Sequence, residues 1–229
     1  MECTCENCLL CRNILPEWRE VVKLKRDVLT YPKGTVIFEE GSEVKGVYFI
    51  LKGKAKVHMK WGDKEYIVRL ASDSTILGHR GFGLDSVYPV SATALEEITV
   101  CFIENDLFKT LLTTNNQFCT ELMWYYADEL KLTERRMRHL ALMPVKGRIG
   151  ESLVLIEKAF GLTENGFLAY PLARKDIASM AGTTYETVIR VFNEMVEDKW
   201  IELDKKWIKI TDKKAIETCC RENKAEAVA

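Results

Sequence analysis

The hydrophobic period of this chain changes from strand-like to helical near residue 105, and that change limits what it can fold into. Over residues 26–104 short apolar runs alternate with polar positions, at 35–38, 47–50, 55–59, 66–70 and 98–103. Turn-forming pairs separate them at Lys33-Gly34, Glu40-Gly41, Lys52-Gly53 and Gly62-Asp63, and at Gly78. Short strands at this spacing predict an all-β sandwich, barrel or roll. From Asp106 onward the texture is helical: a long helix over 116–143, stopped by Pro144, then helices over 147–160, 174–181 and 184–198. Two short strands, 200–203 and 207–211, follow with Lys205 and Lys206 between them, so the C-terminal part reads as helices closed by a β-hairpin, a winged helix. The predicted class is α+β.

The domain plan expected from these patterns is a cysteine-rich leader with a short helix over 1–20, a β-roll over 21–115, a long helix over 116–143, a winged helix-turn-helix over 144–217 and a tail over 218–229. On the long helix Cys119, Leu122, Tyr126, Leu130, Met137 and Leu140 recur at three- and four-residue steps, with Thr133 interrupting. Such a seam suits pairing with a second copy, although it could equally pack on its own domain.

Composition narrows the function classes. The chain has 229 residues, 47% hydrophobic and 29% charged, as folded proteins do. No apolar run approaches the roughly 18 residues of a membrane span. No secretory signal opens the sequence, so a cytoplasmic address with no membrane is expected. Net charge is −1, from 33 Lys and Arg against 34 Asp and Glu, and argues neither for nor against nucleic acid. Positive charge is concentrated locally. Lys131, Arg135, Arg136, Arg138, Lys146 and Arg148 stand against Glu134 alone, and Lys205, Lys206, Lys209, Lys213 and Lys214 against Asp212.

The segment 174–195 carries the most chemistry. Ile177, Ala178 and Ala181 give one helix a small apolar face, Gly182 permits a sharp turn, and Val188, Val191 and Phe192 anchor a second helix. With Thr184 at its N-cap, that helix turns Tyr185, Glu186, Ile189 and Arg190 outward. Glu186 can accept from the cytosine amine and Arg190 can donate twice to guanine, and their four-residue spacing stacks them on one face. The same residues could form a routine surface ion pair, with Thr183 and Glu186 as a capping box. The neighbouring turn and hairpin favour DNA.

The run from Asp176-Ile-Ala through Ala-Gly-Thr-Thr-Tyr-Glu-Thr-Val-Ile-Arg-Val closely resembles the recognition motif of the cyclic-AMP receptor and fumarate-nitrate-reduction (CRP/FNR) regulators. The resemblance spans about residues 21–212 and includes Pro32-Lys-Gly, Phe38, Gly41 and Tyr48-Phe-Ile-Leu-Lys-Gly-Lys-Ala. It implies a cyclic-nucleotide-binding-like β-roll or jelly roll, a dimerisation helix, and a winged helix-turn-helix. It also implies a homodimer on palindromic double-stranded promoter DNA, with RNA polymerase as a further partner. Glu186 and Arg190 fall where family members read bases, and Lys205 and Lys206 fall on the wing beside the phosphates. Tyr185 and Ile189 occupy positions where members differ, so the outer bases of the site are unassigned.

Three signals compete for the sensor. Nucleotide-binding relatives use a Gly-Glu pair for ribose and an Arg-Ser pair for phosphate, whereas Gly78 is followed here by His79 and the stretch 88–93 has no arginine. Cyclic AMP is therefore not expected in a pocket drawn around Gly78, His79, Arg80 and Ser91. An iron–sulfur cluster needs several thiolates, and Cys3, Cys5, Cys8 and Cys11 crowd the leader while Cys101 stands where oxygen-sensing relatives carry a distant ligand. Zinc is the other metal reading, against a core-thiol role for Cys101. No nucleophile elbow, phosphate-cradling loop or paired metal histidines are present, and nothing orients His79, Asp85 and Ser86 as a hydrolytic set, so no enzyme is expected. A ligand-binding regulatory module that does not read DNA is the alternative.

Overall fold

The computed structural model describes residues 8–83 and 85–220. Cys3, Cys5 and the tail from 221 onward lie outside the described residues. The chain forms two compact units. The first comprises the chain up to Met59 together with Val68–Lys131, the second Lys60–Ile67 together with the chain from Leu132.

The first unit opens with α1 (Leu9–Asn13) and α2 (Pro16–Lys25), where Pro16 takes the first helical position and needs no amide partner. Eight strands follow: β1 (Asp27–Tyr31), β2 (Val36–Phe38), β3 (Gly46–Lys52), β4 (Ala55–Trp61), β5 (Lys64–Ala71), β6 (Ile76–Leu77), β7 (Ser91–Ala94) and β8 (Ile98–Glu104), of which the end of β4 and the start of β5, residues 60–67, belong to the second unit. They form two four-stranded sheets, ordered β1-β8-β3-β6 and β2-β7-β4-β5. β8 lies between β1 and β3, so Cys101 faces both Val28 and Phe49 in register. Gly46 opens β3 because a Cβ there would fall 2.1 Å from the Ile103 carbonyl oxygen.

β1, β6, β7 and α1 had no signal in the alternation. β1 is a half-exposed edge strand, β6 spans two residues, and β7 reads Ser-Ala-Thr-Ala with few β-forming side chains. Their pairing with β8, β3 and β4 makes them strands, not their own propensity.

α3 (Asn105–Thr114) and α4 (Asn116–Leu142) carry the chain on. One core cluster joins Val47, Phe49, Ile76, Cys101 and Ile103 of the strands to Phe108 and Leu111 of α3, Phe118 and Leu122 of α4, and Cys8, Leu10, Ile14 and Val22 of the leader. The expected pairing seam is corrected here. Leu122 is buried in this cluster and Tyr126 packs against it, so neither belongs to a free face. Cys119, Leu130 and Met137 of the expected stripe are exposed, and they share the outer face of α4 with Met123 and Ala127. Three- and four-residue spacing marks two stripes on one helix, and spacing alone does not say which stripe the core takes.

The second unit contains α5 (Val145–Phe160), α6 (Arg174–Ala181), α7 (Tyr185–Glu197), β9 (Ile201–Asp204), β10 (Trp207–Ile210) and α8 (Lys213–Cys219). Ile149, Leu153, Ile156, Ile177, Val188, Phe192, Met195, Ile208 and Ile216 are all essentially inaccessible. Arg148 donates to the carbonyls of Met143 and Ala181, each at 2.8 Å, satisfying the last carbonyl of α6.

Candidate nucleic-acid interface and effector pocket

α6 ends at Gly182, whose φ of 59° is the left-handed cap that lets the chain turn sharply into the next helix. Thr184 caps α7: its hydroxyl accepts from the Thr187 amide at 3.3 Å. The cap is therefore Thr184 with Thr187 at the third position, not the Thr183–Glu186 box. Val188, Val191, Phe192 and Met195 face the core. On the opposite side Tyr185, Glu186, Ile189, Arg190 and Asn193 line one open concave surface. The Glu186–Arg190 pair considered from sequence is replaced by another: Arg190 donates to Glu194 at 2.6 Å, and Lys146 stands 3.6 Å from the same carboxyl group. Glu194 was not singled out from the sequence. Only its position one turn beyond Arg190 hints at it.

β9 and β10 pair with Asp204 opposite Trp207, leaving Lys205 and Lys206 as a two-residue tip. Both lysines are exposed, and Lys205 sits at a φ of 53°. Arg174, at the start of α6, lies 4.9 Å over the Phe192 ring and reaches the Lys206 carbonyl at 3.4 Å, linking the tip of the wing to α6 and α7. Lys146 is committed to Asp198 at 2.9 Å. Lys146 and Arg148 thus serve structure rather than an anion in solution.

In the β-roll, Gly78, His79 and Arg80 line a narrow cleft together with Arg69, Tyr88 and Val90. Ser91 does not line it; its hydroxyl accepts from the Glu40 amide at 2.9 Å. The dominant feature is a residue the sequence reading passed over. Glu129 of α4, only 8% exposed, accepts from Arg69 at 2.6 Å, His79 at 2.8 Å and Arg80 at 2.9 Å. Arg69 also donates to the Tyr125 hydroxyl at 2.6 Å, and the Tyr126 hydroxyl donates to the His79 carbonyl. Burial pushes the Glu129 carboxyl upward, but the His79 hydrogen bond and the two guanidiniums outweigh it and hold the group well below its usual range. Burial likewise pushes the His79 imidazole down, against the pull of Glu129 and with the push of Arg69. His79 is therefore neutral with its proton on Nε2, donated to the carboxylate. A signal for Glu129 existed in the sequence: it continues the core-facing series Phe118, Leu122, Tyr125 and Tyr126 at helical spacing, where a carboxylate needs a buried partner.

Of the candidate metal ligands, Cys8 and Cys101 are buried in one core cluster and Cys11 packs against it. None of the six described cysteines is in a disulfide. Among the described residues no group of three His, Cys, Asp or Glu side chains is arranged to hold a metal ion.

Residues 28–115 match the cyclic nucleotide-binding domain family and residues 147–219 the Crp-like helix-turn-helix domain family. A roll-shaped sensor domain with a winged helix-turn-helix defines a DNA-binding transcription regulator. Similar proteins include the CRP-like cAMP-activated global transcriptional regulator of Mycobacterium tuberculosis, 25% identical over 185 residues covering 80% of this chain and 83% of that one. The transcriptional activator protein FnrA of Stutzerimonas stutzeri is 27% identical over 184 residues, covering 79% and 75%. The structure of FixK2 from Bradyrhizobium japonicum superposes with a TM-score of 0.76 at 19% identity, over 86% of this chain and 98% of that one. The chain belongs to the CRP/FNR family of transcription regulators.

Proposed function

We propose that the protein binds palindromic promoter sites as a homodimer, that α7 of each copy reads one half-site, and that the β-roll and leader take the signal. One observation carries the reading: an N-capped α7 presents Glu186 and Arg190 one turn apart on an open face, flanked by a two-lysine wing. Glu186 accepts from cytosine and Arg190 makes two hydrogen bonds to guanine, while Thr184 and the wing lysines hold phosphates. Tyr185 and Ile189 touch the flanking bases through apolar contact. Half-sites one turn apart, roughly 34 Å, demand two copies, and the exposed stripe of α4 supplies the seam. The promoter setting makes RNA polymerase the further partner, and DNA places the protein in the cytoplasm.

The test is selection of bound duplexes from a random pool, followed by affinity measurements at fixed salt on the selected and a scrambled duplex. Arg190→Ala and Glu186→Ala are each expected to lose about 1–3 kcal/mol of discrimination at one base pair. Equal losses on both duplexes overturn the assignment.

Cyclic AMP is disfavoured as the signal because Arg69 and Arg80, which line the cleft, are already bound to Glu129. A thiol-based signal is a second reading, favoured by the meeting of Cys8, Cys11 and Cys101 at one core cluster. An iron–sulfur cluster or zinc site would draw on Cys3 and Cys5 as well. Iron, sulfide and zinc analysis after anaerobic purification tests it; a metal-free protein with full operator affinity removes both metal readings.

A further inference from the structure

The outward face of α7 is divided lengthwise. Glu186 and Arg190, four residues apart, make a polar row, and Tyr185 and Ile189, also four apart, make an apolar row beside it. All four side chains line the same open concave surface. The core of this unit takes Val188, Val191, Phe192 and Met195 from α7, whereas Tyr185 is 50% exposed and Ile189 half-buried. The apolar row is thus left over from the core. Tyr185 has a second attachment, because its phenol acts on the Arg174 guanidinium that reaches the Lys206 carbonyl. Ile189 has no polar side-chain atom with which to make one.

The major-groove edges of the four base pairs offer donors and acceptors and one apolar group, the C5 methyl of thymine. A side chain that neither donates nor accepts tells bases apart there only through that methyl. Against any other edge it covers polar atoms and leaves them without water. Ile189 neighbours Glu186 three residues back and precedes Arg190 directly, so it enters the groove with them. A rise of about 1.5 Å per helical residue against about 3.4 Å per base pair keeps its contact within about two base pairs of the guanine that Arg190 takes. We propose that Ile189 is a specificity-determining residue that packs on the methyl of a thymine beside that guanine. Because the contact is to the methyl alone, 5-methylcytosine at the same place satisfies it and uracil does not. Cytosine methylation there raises affinity. The inference rests on the reading in which α7 enters the major groove, and it names the neighbouring base that the Glu186–Arg190 row leaves unread.

The experiment uses the full chain and the duplex selected from the random pool, with affinities measured at fixed salt. Arg190→Ala first locates the guanine. Each thymine within about two base pairs of it is then replaced in turn by deoxyuridine, which removes the methyl and keeps every hydrogen-bonding group. At one position uracil is expected to weaken binding about fourfold per half-site, the worth of one buried methyl. Cytosine there weakens binding further, and 5-methylcytosine recovers about fourfold over cytosine. Ile189→Ala is expected to bind the thymine and uracil duplexes equally while keeping its preference at the G·C pair, and Tyr185→Ala to leave the thymine–uracil ratio intact. Uracil tolerated at every position overturns the proposal, as does a thymine–uracil ratio that survives Ile189→Ala or is lost in Tyr185→Ala. The uracil series on the parent chain decides even where a variant does not fold. A pool that yields no preferred sequence sinks the DNA reading as a whole. A preferred sequence whose G·C pair depends on Arg190 while every uracil is tolerated sinks only the methyl contact.

Discussion

At Lys205 the backbone enters the left-handed region at a φ of 53°, a conformation that costs a side chain about 1 kcal/mol relative to glycine. Glycine is the usual residue for such a hairpin tip, so a lysine there trades stability for charge at the end of the wing. Lys205→Gly is expected to raise unfolding stability by about 1 kcal/mol in urea titrations. The same variant should bind every duplex more weakly, with a log–log salt slope shallower by about 0.9. An unchanged slope removes Lys205 from the phosphate contacts. Arg190 presents a different residue-scale choice: in the free protein its guanidinium is taken by Glu194, and a base must compete for it. The pair is exposed and contributes little to stability. Glu194→Gln is therefore expected to unfold within about 0.5 kcal/mol of the parent while binding its selected duplex more tightly. Weaker binding would show that Glu194 aims the arginine instead of withholding it.

The decisive element is α4, because its two faces do different work. Phe118, Leu122, Tyr125, Tyr126 and Glu129 face the β-roll, and Cys119, Met123, Ala127, Leu130 and Met137 face outward. Leu130 and Met137 are 60% and 64% exposed and continue the outward stripe of Cys119, Met123 and Ala127, a contiguous patch of the kind that marks an interaction site. Leu130→Glu with Met137→Glu is expected to yield a folded monomer by sedimentation; a persisting dimer assigns pairing elsewhere. On the inner face, Glu129→Ala leaves two guanidiniums uncompensated and is expected to cost about 3–5 kcal/mol. The cluster also sets a pH dependence. His79 has a depressed pKa, so below its ordinary 6.5 the unfolded chain gains a proton that folded His79, buried and beside Arg69 and Arg80, refuses. Stability therefore falls as pH drops through 6.5. Glu129, also depressed, adds stability that is fully present above 4.5 and is lost as pH falls below it toward its folded value. Urea midpoints that stay flat from about pH 7.5 to about pH 5 would contradict a neutral, buried His79.

At the scale of the whole molecule, a net charge of −1 gives no uniform attraction to DNA, so affinity depends on where cations are placed. The homodimer proposed above predicts an unfolding midpoint that rises with protein concentration, which a dilution series checks. The sequence by itself determined the α6–turn–α7 unit and its hairpin, since Gly182, Thr184, the apolar anchors and the lysine tip act over a few residues. It also determined the long helix, because Pro144 stops it and apolar residues recur along it at three- and four-residue steps. Other features were decided only by the tertiary structure: which stripe of α4 is buried, the pairing of β1, β6 and β7, the burial of Cys8, and the meeting of Glu129 with Arg69 sixty positions away. The physical reason is range. Caps, turns and helical periodicity are satisfied within one or two turns of chain. A buried carboxylate, an edge strand or a core thiol acquires its partner only when distant segments close around it, and no local pattern records which partner that is.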